Sequence, residues 1–121
     1  MNKIMIEELL LKDLCARLPY NPMVEYKGET YNVLGITYGR LVLCKPFMSY
    51  TLDEHPLVEE VKPYLFPISS MTEEQKEDMI KSSVGIGSDK NVFDWYNKNN
   101  FDYRRLIPMG IANDATRLNI Y

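Results

Sequence analysis

KPYLFPISSMTEEQKED, residues 62–78, is where a pattern that reads as sheet gives way to one that reads as helix. Pro63 and Pro67 each fix φ and lack an N–H, so Tyr64, Leu65 and Phe66 between them are held extended, at an edge or a crossing. Thr72 is placed to cap a helix through its hydroxyl. Glu73 and Glu74 suit the positive end of its dipole, and Gln75 completes a capping box.

Upstream, Ile6, Leu10, Leu14 and Leu18 recur every fourth residue, flanked by Leu11 and Cys15, while Glu7, Glu8, Lys12, Asp13 and Arg17 fall elsewhere. This spacing predicts an amphipathic helix over 4–18, ended by Pro19. The runs MVEYK, ETYNVLGIT and RLVLCK, at 23–27, 29–37 and 40–45, alternate and are rich in β-branched and aromatic residues. They predict short antiparallel strands with hairpin tips at Lys27-Gly28 and Tyr38-Gly39, where glycine accepts positive φ. Residues 47–55 read as a loop, and Leu57, Val58, Val61, Tyr64, Leu65 and Phe66 as a last strand or pair of strands broken by Pro63.

Downstream, the helix begun near Thr72 runs to about Lys81, and SSVGIGSDK follows as a loop. Asp89 is placed to cap a short helix through Val92, Phe93, Trp95 and Tyr96, which stops in the asparagine-rich 97–100. One more helical turn precedes Pro108, and the tail then reads as irregular. The expectation is one α+β domain over 1–121: an N-terminal helix, a small antiparallel sheet or partly open barrel of four to five strands, then two to three short C-terminal helices.

A net charge of −3 argues against the broad positive footprint of non-specific DNA binding, leaving only local basic patches. No apolar run approaches the roughly 20 residues of a membrane span, and Glu7, Glu8, Lys12 and Asp13 stand where a secretion signal needs its apolar core. A cytoplasmic protein without a membrane partner is expected. Cys15 and Cys44 sit in apolar settings and read as buried thiols, not as a disulfide.

The order LLLKDLCARLPY, YKGETYNVLGI, EVKPYLFPISSMTEEQ, FDWYNKNNFDYRRLIPMGIA resembles a family of small uncharacterised proteins from phages and mobile elements of gut Bacteroidales. The likeness spans most of the chain and is tightest at 9–14, 62–74 and 101–109. The family often carries a basic residue at the position of Phe66 and glycine at that of Arg105, so the resemblance marks neither as a shared site. It implies a phage or prophage origin and action inside a bacterial cell, and carries over no catalytic residue.

Several constellations invite chemistry. Ser69, Ser70, Met71 and Thr72 gather hydroxyls and free N–H groups at a helix start, yet Glu73 and Glu74 oppose an anion and capping explains the residue types. The glycine loop 84–89 follows a helix and lacks both a third glycine and a P-loop lysine, so it reads first as a connector and second as a nucleotide site. His55 beside Asp53 and Glu54 is short of ligands for a metal, and a nucleophile in Cys15 or Cys44 would occupy an apolar periodic position where thiols are inert. Glu59, Glu60, Glu77 and Asp78 read as solvated faces. No catalytic residue, metal or cofactor is assigned.

What remains is aromatic and basic: Trp95, Tyr96, Lys98, Phe101, Tyr103, Arg104 and Arg105. Aromatic rings supply anchor area and arginine supplies forked hydrogen bonding, a mixture suited to a protein interface or a single-stranded nucleic acid. Alternatively, Trp95, Phe101 and Tyr103 pin the C-terminal half onto the sheet, with Arg104 and Arg105 paired to Asp94 and Asp102. The expected function is a non-catalytic binding module for a host or phage protein, with a sheet face and exposed tyrosines of 23–50 extending the surface. The alternative is a nucleic-acid or nucleotide binder using the same segment or the 84–89 loop.

Overall fold

Met5 N–H donates to Asn2 Oδ1 at 2.9 Å and so opens helix α1, Lys3–Arg17, in a computed structural model that describes residues 2–46, 51–85 and 88–121. Pro19 does not stop the chain from turning at once, because it sits in the first turn of a 3-10 segment, Leu18–Tyr20, where no N–H is needed. Asn21, at φ 55°, then reverses it into the sheet.

Strands β1, Met23–Tyr26, β2, Glu29–Thr37, and β3, Arg40–Cys44, form the antiparallel meander that alternation predicts. Both hairpin tips have positive φ at both central residues, 51° and 79° at Lys27 and Gly28, 52° and 74° at Tyr38 and Gly39, the primed geometry that matches strand twist. Strand β4, Lys62–Leu65, pairs antiparallel with β1, and β5, Asn113–Asp114, adds in parallel, giving the order β3-β2-β1-β4-β5. Pro63 lies within β4 instead of breaking it. It sits opposite Val24, while β5 meets only Tyr64 and Leu65, so the missing N–H costs no bond to β5.

The fold is α+β: an N-terminal helix, an open, mostly antiparallel sheet, and two short helices. Helix α2, Glu73–Ser82, has the expected capping box, with Gln75 N–H on Thr72 Oγ1 at 3.1 Å and Thr72 N–H on Gln75 Oε1 at 2.8 Å. Helix α3, Ser88–Lys98, takes Asp89 into its first turn, where it faces the dipole instead of capping. The tail is not wholly irregular, since it supplies β5, and 103–110 form turns where a helical turn is expected.

Leu10 and Leu14 of α1 share one core with Val24, Tyr26, Val33, Leu41 and Leu43 of the sheet and with Leu106 and Ala112 of the tail. Asp13 and Arg17 share this face. Positions 10, 13, 14 and 17 form one helical stripe, and both charged residues are fully buried. Asp13 accepts from Arg17 Nε at 3.0 Å and from Arg104 Nη1 at 2.8 Å, while Arg17 Nη2 and Nη1 donate to the carbonyls of Phe101 and Tyr96 at 2.7 and 3.4 Å. Arg104 therefore pairs with Asp13 and not with Asp94 or Asp102. Cys15, expected buried, lies on the exposed side of α1, whereas Cys44 is buried. Arg17→Met is expected to cost about 3 kcal/mol in urea unfolding, because it leaves one oxygen of the buried Asp13 carboxylate without its partner. Lys76→Ala, at the exposed contact with Glu73, should leave the midpoint nearly unchanged.

Candidate functional site

Asn100, at φ 64°, ends α3 in the left-handed geometry asparagine tolerates, and its carbonyl accepts Phe66 N–H at 2.8 Å. That bond, with Asp102 N–H on the Phe66 carbonyl at 2.9 Å, lays Phe101 beside Phe66 and buries it. Around Phe101 runs a chain of rings. Trp95 stacks on it at 5.4 Å and 10°, Tyr96 meets it edge-on, and Phe66 lies 6.0 Å away. From Tyr96 the chain continues to Tyr103, stacked at 5.6 Å, and from Tyr103 to Phe93 at 5.2 Å. Phe93 is 49% exposed, so a series of contacts rooted in the interior ends on a ring facing solvent.

Phe93 and Asn97 are one turn apart on α3 and together receive Tyr103: its hydroxyl donates to Asn97 Oδ1 at 3.0 Å while its ring lies against Phe93. Guanidinium groups hold the same ring, that of Arg104 at 4.5 Å and that of Arg17 at 5.4 Å from its centroid. Asp102 fixes the following turn by accepting Leu106 and Ile107 N–H, each at 2.8 Å. Arg105 stands on that turn at φ 61°, exposed to solvent.

The seven residues singled out in the sequence thus separate. Trp95 and Phe101 belong to the interior, with the Trp95 indole N–H bound to Asp78 Oδ2 of α2 at 2.8 Å. Tyr96 and Tyr103 are half-buried links between core and surface. Arg104 shows 15% of its side chain, and Arg105 is exposed. Lys98 is exposed but lines a polar groove of about 360 Å3 between α2 and α3, roughly 140° around the helix from Phe93. Phe93, Asp13 and Arg17 were not among the seven, although Phe93 shares a helix face with Asn97 and the other two lie in the buried stripe of α1.

The remaining constellations are structural in their contacts. Glu54 accepts the Tyr26 hydroxyl at 2.5 Å and Lys27 Nζ at 3.0 Å, and those bonds, the tyrosine's first, hold its carboxyl below the usual range. His55 is exposed, with its carbonyl bound by Arg40. Glu60 caps Leu57 N–H, and Ser70 turns back to the Pro67 carbonyl. Among the described residues no three of His, Cys, Asp and Glu are arranged to hold a metal ion, and no helix is long and apolar enough to cross a membrane. Of the tyrosines in 23–50, Tyr26 and Tyr31 are buried and extend no surface, whereas Tyr38 at its hairpin tip is 99% exposed. Tyr50, and Ile86 and Gly87 of the 84–89 loop, lie outside the described residues. No family model, curated protein or solved structure matches the chain.

Tyr121 closes the far end of the ring chain, 5.9 Å from Phe66. The residue is 46% exposed, but its hydroxyl lies between β1 and β4, accepting Met23 N–H at 3.0 Å and donating to the Tyr64 carbonyl at 2.9 Å. Burial pushes this hydroxyl up to about 12, against the opposing Met23 bond. The fold therefore favours the neutral phenol: its stabilisation is fully present below the ordinary 10.0 and is lost as pH rises through about 12. Tyr121→Phe should lower stability by about 1 kcal/mol near neutrality and show a shallower alkaline decline, read from unfolding midpoints across that window.

Proposed function

We propose that this protein is a non-catalytic interaction module of phage type, gripping a host or phage protein inside a bacterial cell through the face formed by Phe93, Tyr103, Arg104 and Arg105. The observation that carries the reading is the mounting of Phe93. A half-exposed ring is backed by Tyr103, which is itself fixed by Asn97 and covered by Arg104. Binding hot spots are rigid aromatic and arginine side chains whose ordering is complete before the partner arrives, and this group meets that description. The phage setting rests on the family resemblance alone.

Trp95 is an unsuitable probe of this reading, since truncating a buried indole removes stability first. Phe93→Ala and Arg105→Gly are better, the second because glycine takes up φ 61° freely while removing the cation. With thermal midpoints close to the parent, each should weaken capture of the parent's partner from a bacterial lysate by at least about tenfold. A Leu34→Ala change on the exposed side of β2 should not. Full retention by both folded variants refutes the assignment of this face.

A further inference from the structure

We infer that α1 pairs antiparallel with the α1 of a second copy of this chain, through the face turned away from the sheet and independently of the Phe93 surface. A helix that is apolar on both sides is ordinarily covered on both sides. The inward stripe of α1, with Leu10 and Leu14, is buried. On the outward side Ile4 is 66% and Met5 53% exposed, Cys15 is exposed, and Leu9, Leu11 and Ala16 are half-buried. The centre of this face carries two charges, Glu8 and Lys12, which with Met5 and Leu9 line a shallow groove of about 260 Å3. Lys3 and Glu7 project about 120° or more away around the helix. The acidic turn Val58–Glu60 beside α1 joins the core of Leu10 and Leu14 through Val58, on the inward side, and Glu60 is spent on Leu57 N–H.

The two charges select the occupant. Glu8 and Lys12 stand one turn apart, yet neither has an ion pair among the described residues. They are centred on Leu10, which is also the midpoint of α1, Lys3–Arg17. A two-fold axis at that point overlaps the two helices along their whole length, about 22 Å, and in the same register sets Glu8 of each copy against Lys12 of the other. Met5 then faces Cys15 of the second copy, and Met5, Glu8, Lys12 and Cys15 follow the alternating three- and four-residue spacing of a helix-pairing seam. A parallel pair in register would instead oppose Glu8 to Glu8 and Lys12 to Lys12. An unrelated partner would have to supply both complementary charges, whereas a second copy supplies them by symmetry. The seam of one helix pair falls at the small end of interface sizes, below about 1,200 Å2 in total, so association is weak and rises with concentration.

The test is sedimentation equilibrium of the parent under reducing conditions, from about 10 µM to about 1 mM, where a monomer–dimer equilibrium is expected. Glu8→Lys or Lys12→Glu, each placing like charges across the seam, should weaken the dimer at least about tenfold at an unchanged thermal midpoint. The two changes together should restore it, because the pair is only exchanged. Register is read by a disulfide. With oxidised glutathione as oxidant, Met5→Cys should give a covalent dimer whose linked peptides join position 5 to Cys15, a bond that one helix cannot make within itself across about 15 Å. A parent that stays monomeric throughout overturns the inference. So does a dimer that the single charge reversals leave intact or that the double change fails to restore. Linkage of Cys15 to Cys15 in place of position 5 to Cys15, or no linkage, means another arrangement of the two copies and overturns it as well.

Discussion

The carboxylate of Asp13 is the constraint on which the arrangement of this molecule depends. An ionised group with no solvent contact is tolerated only if its lone pairs are matched, and here Arg17 and Arg104 take one oxygen each. Arg17 is as deeply buried, and its remaining donors fall on the carbonyls of Tyr96 and Phe101. Those four partners come from α1, α3 and the segment after it. Displacing any of them leaves a buried charge short of a partner, so α1 and the C-terminal third are held in one relation, 91 residues apart in sequence at the Asp13 to Arg104 contact. The position of the Tyr103 ring follows from this, since both arginines lie over it. An interior ion cluster thereby sets the geometry of an exterior surface.

The second organising element is β4, which changes partners along its length. Lys62 and Pro63 face β1, Tyr64 and Leu65 face β5, and Phe66 exchanges two backbone bonds with Asn100 and Asp102. Prolines bound this handover, one where β5 does not reach and one where the chain must leave the sheet. A parallel partner requires a long crossover, and α2 and α3 occupy it. The Trp95 bond to Asp78 then clips those two helices to each other, which places Phe93 on the side of α3 turned toward Tyr103.

Much of this was legible in the residues because it is local. A capping box needs four consecutive positions, and a primed hairpin tip needs a residue that tolerates positive φ beside a glycine. The Asp13 cluster was not: 10, 13, 14 and 17 make a core stripe as regular as any apolar one, but two of its four members are charged, and charge ordinarily marks a solvated face. Cys15 is the complementary case, an apolar residue that sits outside that stripe and is exposed. Strand β5 is two residues of Asn and Asp, types depleted in strands, and forms only because β4 offers an open edge far away in sequence. The partner of Arg104 is no near neighbour in sequence but Asp13 of α1, a contact that no local pattern encodes.

The ring chain assigns different tasks to chemically similar side chains. Trp95 and Phe101 exclude water from the second hydrophobic cluster with Met71, so their contribution is to folding. Tyr96 meets Phe101 edge-on and stacks on Tyr103, which in turn lies against Phe93, and Tyr103 gains a hydrogen bond that fixes its rotation. By Phe93 the neighbouring surface is solvent, and the ring has an ordered support without being buried itself. A side chain in that position has lost rotamer freedom through contacts the fold already makes, so a partner covering it recovers apolar area without having to order it. Arg105 follows the same logic from the backbone side. Its left-handed φ is unfavourable for a residue with a Cβ, and the Leu106 and Ile107 N–H bonds to Asp102 with the burial of Leu106 hold the backbone there, fixing where the side chain leaves the turn.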